Sequence, residues 1–237
     1  MDKYIYLIGG ITFAFPTLVI CYYRRDLWKL AIMAAICGGL AALITEPIFT
    51  RDYWLPPNIL GWEHICFEDF IFGGGVTAYI ATLYPAITGR KFSKEGTVKK
   101  RYGIYAAFAV TVLVAFILLH FVWGINSVVV SAGLCLVLTP VMWILRRDLI
   151  KPSLIMGALI ALSVLILYLL FFDVIVPDWW DKYWLLTDTA LGITVFGNVP
   201  VTELVWYGAW ALFASIIWPF SEGRVLEPIA PKERNNK

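Results

Sequence analysis

Residues 22–29 read YYRRDLWK, and residues 144–151 read ILRRDLIK. Each RRDL turn closes one long apolar run and opens the next. Arg24 and Arg146 stand 122 positions apart, and the chain repeats itself outward from them. The run after each turn ends in a polar, Trp-rich loop: TRDYWLPPNILGW at 50–62 and PDWWDKYWLLTDTALGI at 177–193. Each loop leads into a further run headed by acids, within ICFEDFIF at 65–72 and VPVTELVW at 199–206. Aligning those heads pairs Cys66 with Pro200, Glu68 with Thr202, Asp69 with Glu203, and Phe72 with Trp206. The expected organisation is a three-run unit at 1–88, a basic loop and linking run at 89–126, a second three-run unit at 127–220, and a tail at 221–237. Three runs plus one linker is an even number, so both units point the same way. That is a parallel repeat about an axis along the membrane normal.

Composition gives the runs their medium. Of 237 residues, 60% are hydrophobic and 15% charged, whereas soluble domains are nearer half and a quarter. Runs of about twenty apolar residues are long enough to cross a bilayer as helices. Seven such spans are expected, near 4–23, 29–49, 66–88, 102–123, 127–145, 152–172 and 199–219. Strict alternation of apolar and polar residues is absent, which excludes a transmembrane barrel. The fold class is therefore an all-α membrane bundle of seven helices. The short break WGIN at 123–126 reads as a tight hairpin between antiparallel helices.

Charge orients the bundle. Seven spans put 16 of the 19 basic residues on one side, leaving Lys3, Arg51 and Lys182 on the other. The positive-inside rule makes the first side cytoplasmic. The expectation is a multi-pass plasma-membrane protein with its N-terminus outside and its C-terminus inside. The net charge of +2 follows from this topology and implies no nucleic-acid partner. MDK is too short for the n-region of a signal peptide, so the first run reads as a span. The four cysteines form no C-x-x-C pair and read as buried thiols. No metal site is expected from His64 and His120, which have no helical pairing, although His64 beside Glu63 is placed to shuttle protons. GGG at 73–75 lies inside an apolar helix, where it permits close helix packing.

Most carboxylates fall on the side away from the basic loops. Glu46, Glu68, Asp69 and Glu203 stand out, because each abuts or enters an apolar helix. An ionised Asp near a helix centre costs roughly 2.5–3.5 kcal/mol on insertion scales. Such a group must face a polar cavity, find a partner or take up a proton. A carboxylic acid that keeps its proton beside an apolar cleft is a general acid. The plainer reading is a helix-dipole effect of about 0.3–1 kcal/mol per acid in a first turn. Glu46-Pro47 reads equally as a helix end. Phe72 lies three residues beyond Asp69; Trp206, Tyr207 and Trp210 lie three, four and seven beyond Glu203, on one face. Aromatics at that spacing serve packing, the interfacial belt or a substrate wall.

At these residues the chain resembles the small integral-membrane carotenoid (lycopene) cyclases, whose halves occur separately as heterodimers or fused. Each half of that family has about three spans and a P-x-E-E or P-x-E-D line at the head of its last helix. CFED and PVTE hold those places here, with Cys66 where the family has Pro and Thr202 at the first acidic position of the second half. The resemblance implies a long apolar polyene substrate taken from the bilayer, no cofactor, and isomerisation without net redox. An acid protonates a terminal double bond, the neighbouring double bond closes a six-membered ring on the cation, and a base removes a proton. By that resemblance Glu68 or Asp69 is the acid, the other tuning it as close carboxyl pairs do, and Glu203 is the second acid or the base. Phe72, Trp206, Tyr207 and Trp210 would form the substrate wall. Their ring faces would stabilise the cation by roughly 0.5–2 kcal/mol each. Two alternatives stay open. A carotenoid hydratase forms the same cation but captures water, and a non-catalytic scaffold binds isoprenoid lipid only. A retinal photoreceptor is excluded by the absence of lysine from the last expected span, 199–219.

Overall fold

Backbone N–H and C=O groups find no water in a bilayer, so a chain this apolar must satisfy them within helices. The computed structural model describes residues 2–94 and 98–229, and its architecture follows that rule. Among the described residues, seven helices are long and apolar enough to cross a membrane: Asp2–Tyr23, Arg25–Asp52, Phe67–Ile87, Tyr102–Val122, Ser127–Leu145, Arg147–Ile175 and Val201–Glu222. Their α-helical bodies are α1 (Asp2–Tyr23), α2 (Trp28–Asp52), α3 (Phe67–Ile87), α4 (Tyr102–Phe116), α5 (Ser127–Leu145), α6 (Ile150–Tyr168) and α8 (Val201–Glu222). A five-residue helix, α7 (Trp179–Tyr183), lies in the loop before α8. Large apolar side chains such as Ile44, Val137 and Ile144 point outward, as lipid-facing residues do. Lys232, Arg234 and Lys237, counted above with the basic tail, lie outside the described residues.

The helix ends agree with the expected spans to within a few residues, with one correction. α2 does not end at Glu46-Pro47 but runs on to Asp52. Pro47 has no N–H for the Leu43 carbonyl, yet tertiary packing keeps the last turn and a half helical. Glu46 therefore points from a helix interior rather than from a loop. The 123–126 break is a hairpin. Gly124 takes a left-handed φ of 69°, and the Asn126 side chain caps α5 by accepting from Val128 N at 3.0 Å. Asp52 fixes this hairpin to the end of α2, its Oδ2 accepting from Ser127 N at 2.8 Å. His120 sits 3.6 Å from the same carboxylate.

Each RRDL stretch forms a 3₁₀ turn, Arg25–Leu27 and Arg147–Leu149. The preceding arginine does the same work in both. Arg24 grips Asp26 through Nε and Nη2 at 3.0 and 2.8 Å. It also donates to the carbonyls of Pro85 at 2.8 Å and Arg90 at 2.6 Å. Arg146 grips Asp148 at 2.7 and 2.5 Å and donates to the carbonyls of Pro219 at 3.4 Å and Arg224 at 2.9 Å. One guanidinium thus satisfies a carbonyl near the C-terminal end of α3 and another does so for α8, where a helix leaves acceptors unpaired.

α3 packs on α1 and α2, and α8 packs on α5 and α6. α3 and α8 meet at the centre. The contacts of α3 are close because glycine makes them so: a Cβ on Gly38 would stand 2.2 Å from Thr77 Oγ1, and one on Gly74 would stand 2.7 Å from the Ala35 carbonyl oxygen. α4 is largely exposed on the outside of the bundle and buries only Phe108 and Phe116. The stretches on either side of α4 are also paired at both ends of the bundle. At the basic end, β1 (Arg90–Ser93) runs antiparallel to β4 (Val225–Pro228). At the acidic end, Leu55 N donates to the Tyr183 carbonyl at 2.8 Å and Leu185 N to the Tyr53 carbonyl at 2.9 Å. Two further strands, β2 (Thr194–Val195) and β3 (Val199–Pro200), form a small hairpin that delivers the chain to α8.

Candidate active site

The acid-headed helices begin differently, and the difference starts with one backbone group. Cys66 is the N-cap of α3 in an extended conformation. Its N–H donates to Asp69 Oδ2 at 2.6 Å, and its thiol reaches Asp69 Oδ1 at 3.2 Å. Asp69 thereby completes a capping box. Pro200, the N-cap of α8, has no N–H to offer. Glu203 is therefore free of the cap and turns inward.

Among the described residues, four carboxyls are buried at this end of the bundle: Glu68 is 0% exposed, Asp69 1%, Glu203 4% and Glu46 5%. Glu46 on α2 lies within electrostatic reach of both Asp69 on α3 and Glu203 on α8. Their hydrogen bonding is unequal. Asp69 receives three donors, the third being the Tyr6 hydroxyl, 2.8 Å from Oδ1. Glu68 Oε1 accepts from Ile59 N at 2.8 Å, which ties the preceding loop to α3. Glu203 Oε2 accepts from the Tyr168 hydroxyl at 2.7 Å. The other oxygens of Glu68 and Glu203, and Glu46 Oε1, have no partner among the described residues. The Thr202 hydroxyl is likewise buried and unpartnered there. Just outside α3, burial and then the Asp69 charge push the Cys66 thiol well above its usual range.

A cleft runs between α1 and α6, roofed by α7. Ile5, Tyr6, Gly9 and Phe13 form one wall and Tyr168, Phe171 and Phe172 the other, while Phe72, Trp54, Trp179 and Trp180 close it. The space between these walls is narrow, about 20 Å³, and its lining is almost wholly apolar and aromatic. The four acids are not part of its wall. Tyr6 and Tyr168 are, and each carries its hydroxyl back to an acid.

The expected wall residues divide. Phe72 lines the cleft, its ring centroid 5.2 Å from that of Tyr6. Tyr207 backs it, stacked on Phe13 at 5.8 Å with its hydroxyl 3.2 Å from that of Tyr168. Trp206 and Trp210 sit off the cleft. Trp206 Nε1 donates to Ser131 Oγ on α5 at 2.9 Å, and Trp210 Nε1 lies 3.4 Å from Thr77 Oγ1 on α3. Glu63 and His64 are exposed in the loop, His64 Nδ1 being 3.3 Å from Thr50 Oγ1. Among the described residues no group of three His, Cys, Asp or Glu is placed to hold a metal.

Sequence reasoning missed Tyr6, Tyr168 and the centrality of Glu46. One signal was available. The 122-residue offset that pairs Arg24 with Arg146 also pairs Glu46 with Tyr168, and both face the buried cluster.

Residues 126–220 match a family model described as Lycopene cyclase. No curated protein and no solved structure matches the chain. The matched segment covers α5 to α8 and carries Tyr168, Pro200, Thr202, Glu203 and Tyr207. That segment is similar to the lycopene cyclase family, and it lies in a chain with seven helices, among the described residues, that are long and apolar enough to cross a membrane.

Proposed function

We propose that this protein is a carotenoid cyclase-like isomerase that closes a ring at the end of an acyclic polyene by proton transfer, without net redox. One observation carries the reading: two buried carboxyls, Asp69 and Glu203, each hydrogen-bonded through a tyrosine hydroxyl to the wall of one aromatic, apolar cleft. The substrate would be an apolar isoprenoid entering from the bilayer. Glu203 is the acid. Its single hydroxyl partner and its open second oxygen suit a group that carries a proton. Asp69, held by three donors, is the carboxylate that receives one. Glu68 fixes the loop above them through Ile59. Phe72, Tyr6 and Tyr168 offer ring faces to the tertiary cation at roughly 0.5–2 kcal/mol each, and the dry wall keeps water from it. Thr202 leaves the second unit with one acid at its head, so this reaction uses one donor and one acceptor drawn from different units. The domain division is the one drawn above. The basic end faces the cytoplasm, and the acid cluster lies toward the outer leaflet.

The test is pigment analysis of a lycopene-accumulating host expressing this chain. The expected product has the mass of its substrate and contains a ring. A product heavier by one water, with no ring, would make the protein a hydratase. Unchanged pigment would leave a lipid-binding scaffold.

A further inference from the structure

Tyr6 and Tyr168 line the cleft, whereas the acids behind them do not. Tyr168 lies 2.7 Å from Glu203 Oε2 and Tyr6 lies 2.8 Å from Asp69 Oδ1. Both rings are buried. They are not repeat-related, since Tyr6 comes from the first helix of its unit and Tyr168 from the second. The two halves thus place a phenol between acid and cleft from different helices.

A phenol has one proton. While Glu203 is a carboxylate, Tyr168 must spend that proton on it. Once Glu203 is protonated, it donates to the Tyr168 oxygen, and the Tyr168 proton is released to turn toward the Tyr207 oxygen, 3.2 Å away, or into the cleft. The cleft would then meet a donor only when the acid behind it is loaded. We propose that Tyr168 and Tyr6 are the proton-handling groups of the reaction, Tyr168 delivering the proton held by Glu203 and Tyr6 passing the departing proton to Asp69. This rests on the cyclase reading above and specifies how its acids reach a substrate they do not touch.

The steps balance. The Tyr168 O–H bond breaks as a C–H bond forms at the terminal alkene carbon, the π pair supplying the electrons and leaving a tertiary cation. The Glu203 proton replaces the one lost, so no phenolate accumulates and Glu203 is left as a carboxylate. After ring closure a ring C–H bond breaks, and its electron pair becomes the ring double bond. That proton goes to the Tyr6 oxygen while the Tyr6 proton passes to Asp69. One proton has then moved from Glu203 to Asp69. Glu46, within electrostatic reach of both and with an unpartnered oxygen, is placed to return it.

The test compares Tyr168→Phe and Tyr6→Phe with the unaltered chain, as ring formation per molecule of membrane protein in the lycopene-producing host. Phenylalanine keeps the ring and its packing and removes only the hydroxyl. The expected result is a loss of about 100-fold or more for Tyr168→Phe, with Tyr6→Phe also impaired and both proteins present at normal levels. Ring-fluorinated tyrosines at position 168 give a readout that a packing role would not move: turnover should vary systematically with phenol acidity. If the unaltered chain forms rings and Tyr168→Phe equals it per molecule, or fluorination leaves the rate flat, the relay is wrong and the cyclase reading stands. If the unaltered chain forms no ring, both fall together.

Discussion

The Cys66 N–H lies 2.6 Å from Asp69 Oδ2, closing the first turn of α3. At the matching point of α8, Pro200 can make no such bond with Glu203. A single N–H therefore separates an acid committed to its helix from an acid turned to the cleft. The two carboxyls should respond differently to the same kind of substitution.

Glu203→Gln should reduce ring formation by about 100-fold or more while leaving the thermal midpoint in detergent nearly unchanged. Asp69→Ala should lose both activity and stability, the latter by about 0.5–2 kcal/mol for a lost cap. Glu68→Gln keeps an oxygen for Ile59 N and should be the mildest of the three. Pigment yield and a detergent melt of each variant decide the order. Equal effects of Glu203→Gln and Asp69→Ala on stability would break the distinction.

Gly38→Ala should destabilise the first unit by about 1–3 kcal/mol, the usual cost of overpacking, because its Cβ would meet Thr77 and the Gly73 carbonyl oxygen. Gly133→Ala is the control. Nothing lies within 4 Å of a Cβ there, and a helix gains roughly 0.5–1 kcal/mol when Ala replaces Gly. The two melts should shift in opposite directions.

Arg146→Lys should be strongly destabilising even though it keeps the charge. Lysine cannot match the guanidinium fork that serves Asp148 and two carbonyls at once. The expected loss is about 1.5–3 kcal/mol, as for hydrogen bonds to a charged group. Arg24→Lys should behave alike, and a large disagreement between the two melts would show that the paired turns are not equivalent.

Cys66 should resist a maleimide at pH 8 in the folded protein. Its thiol is buried and held protonated by burial and the adjacent carboxylate, and only a thiolate reacts. Mass analysis should show Cys66 modified only after denaturation. Prompt labelling in the native state would mean that the cap is open.

Orientation has its own check. Tags in the 89–101 loop should be shielded in intact cells, and tags in 173–198 reachable. The opposite pattern would invert the bundle.

The spans were readable because run length and charge survive any packing arrangement. The likeness of the two RRDL stretches was readable, but not the carbonyls that Arg24 and Arg146 reach 61 to 78 residues away. Glu46 was obscured by Pro47, a local signal for a helix end that tertiary packing overrides. Tyr6 and Tyr168 carry no local mark among twelve tyrosines, since their role depends on which acid faces them across the bundle. Trp206 and Trp210 share a helical face with Glu203, yet α8 is surrounded, and that face meets α3 and α5 before it meets the cleft.

Both ends of the bundle are cross-stitched, by Arg90–Ser93 on Val225–Pro228 and by the backbone around Tyr53 on that around Tyr183. α4, the covalent bridge between the helices on either side of it, buries only two of its side chains. A nick just ahead of α4 would therefore cut the polypeptide without parting its halves. Fission into two genes, or fusion back into one, would cost this architecture little.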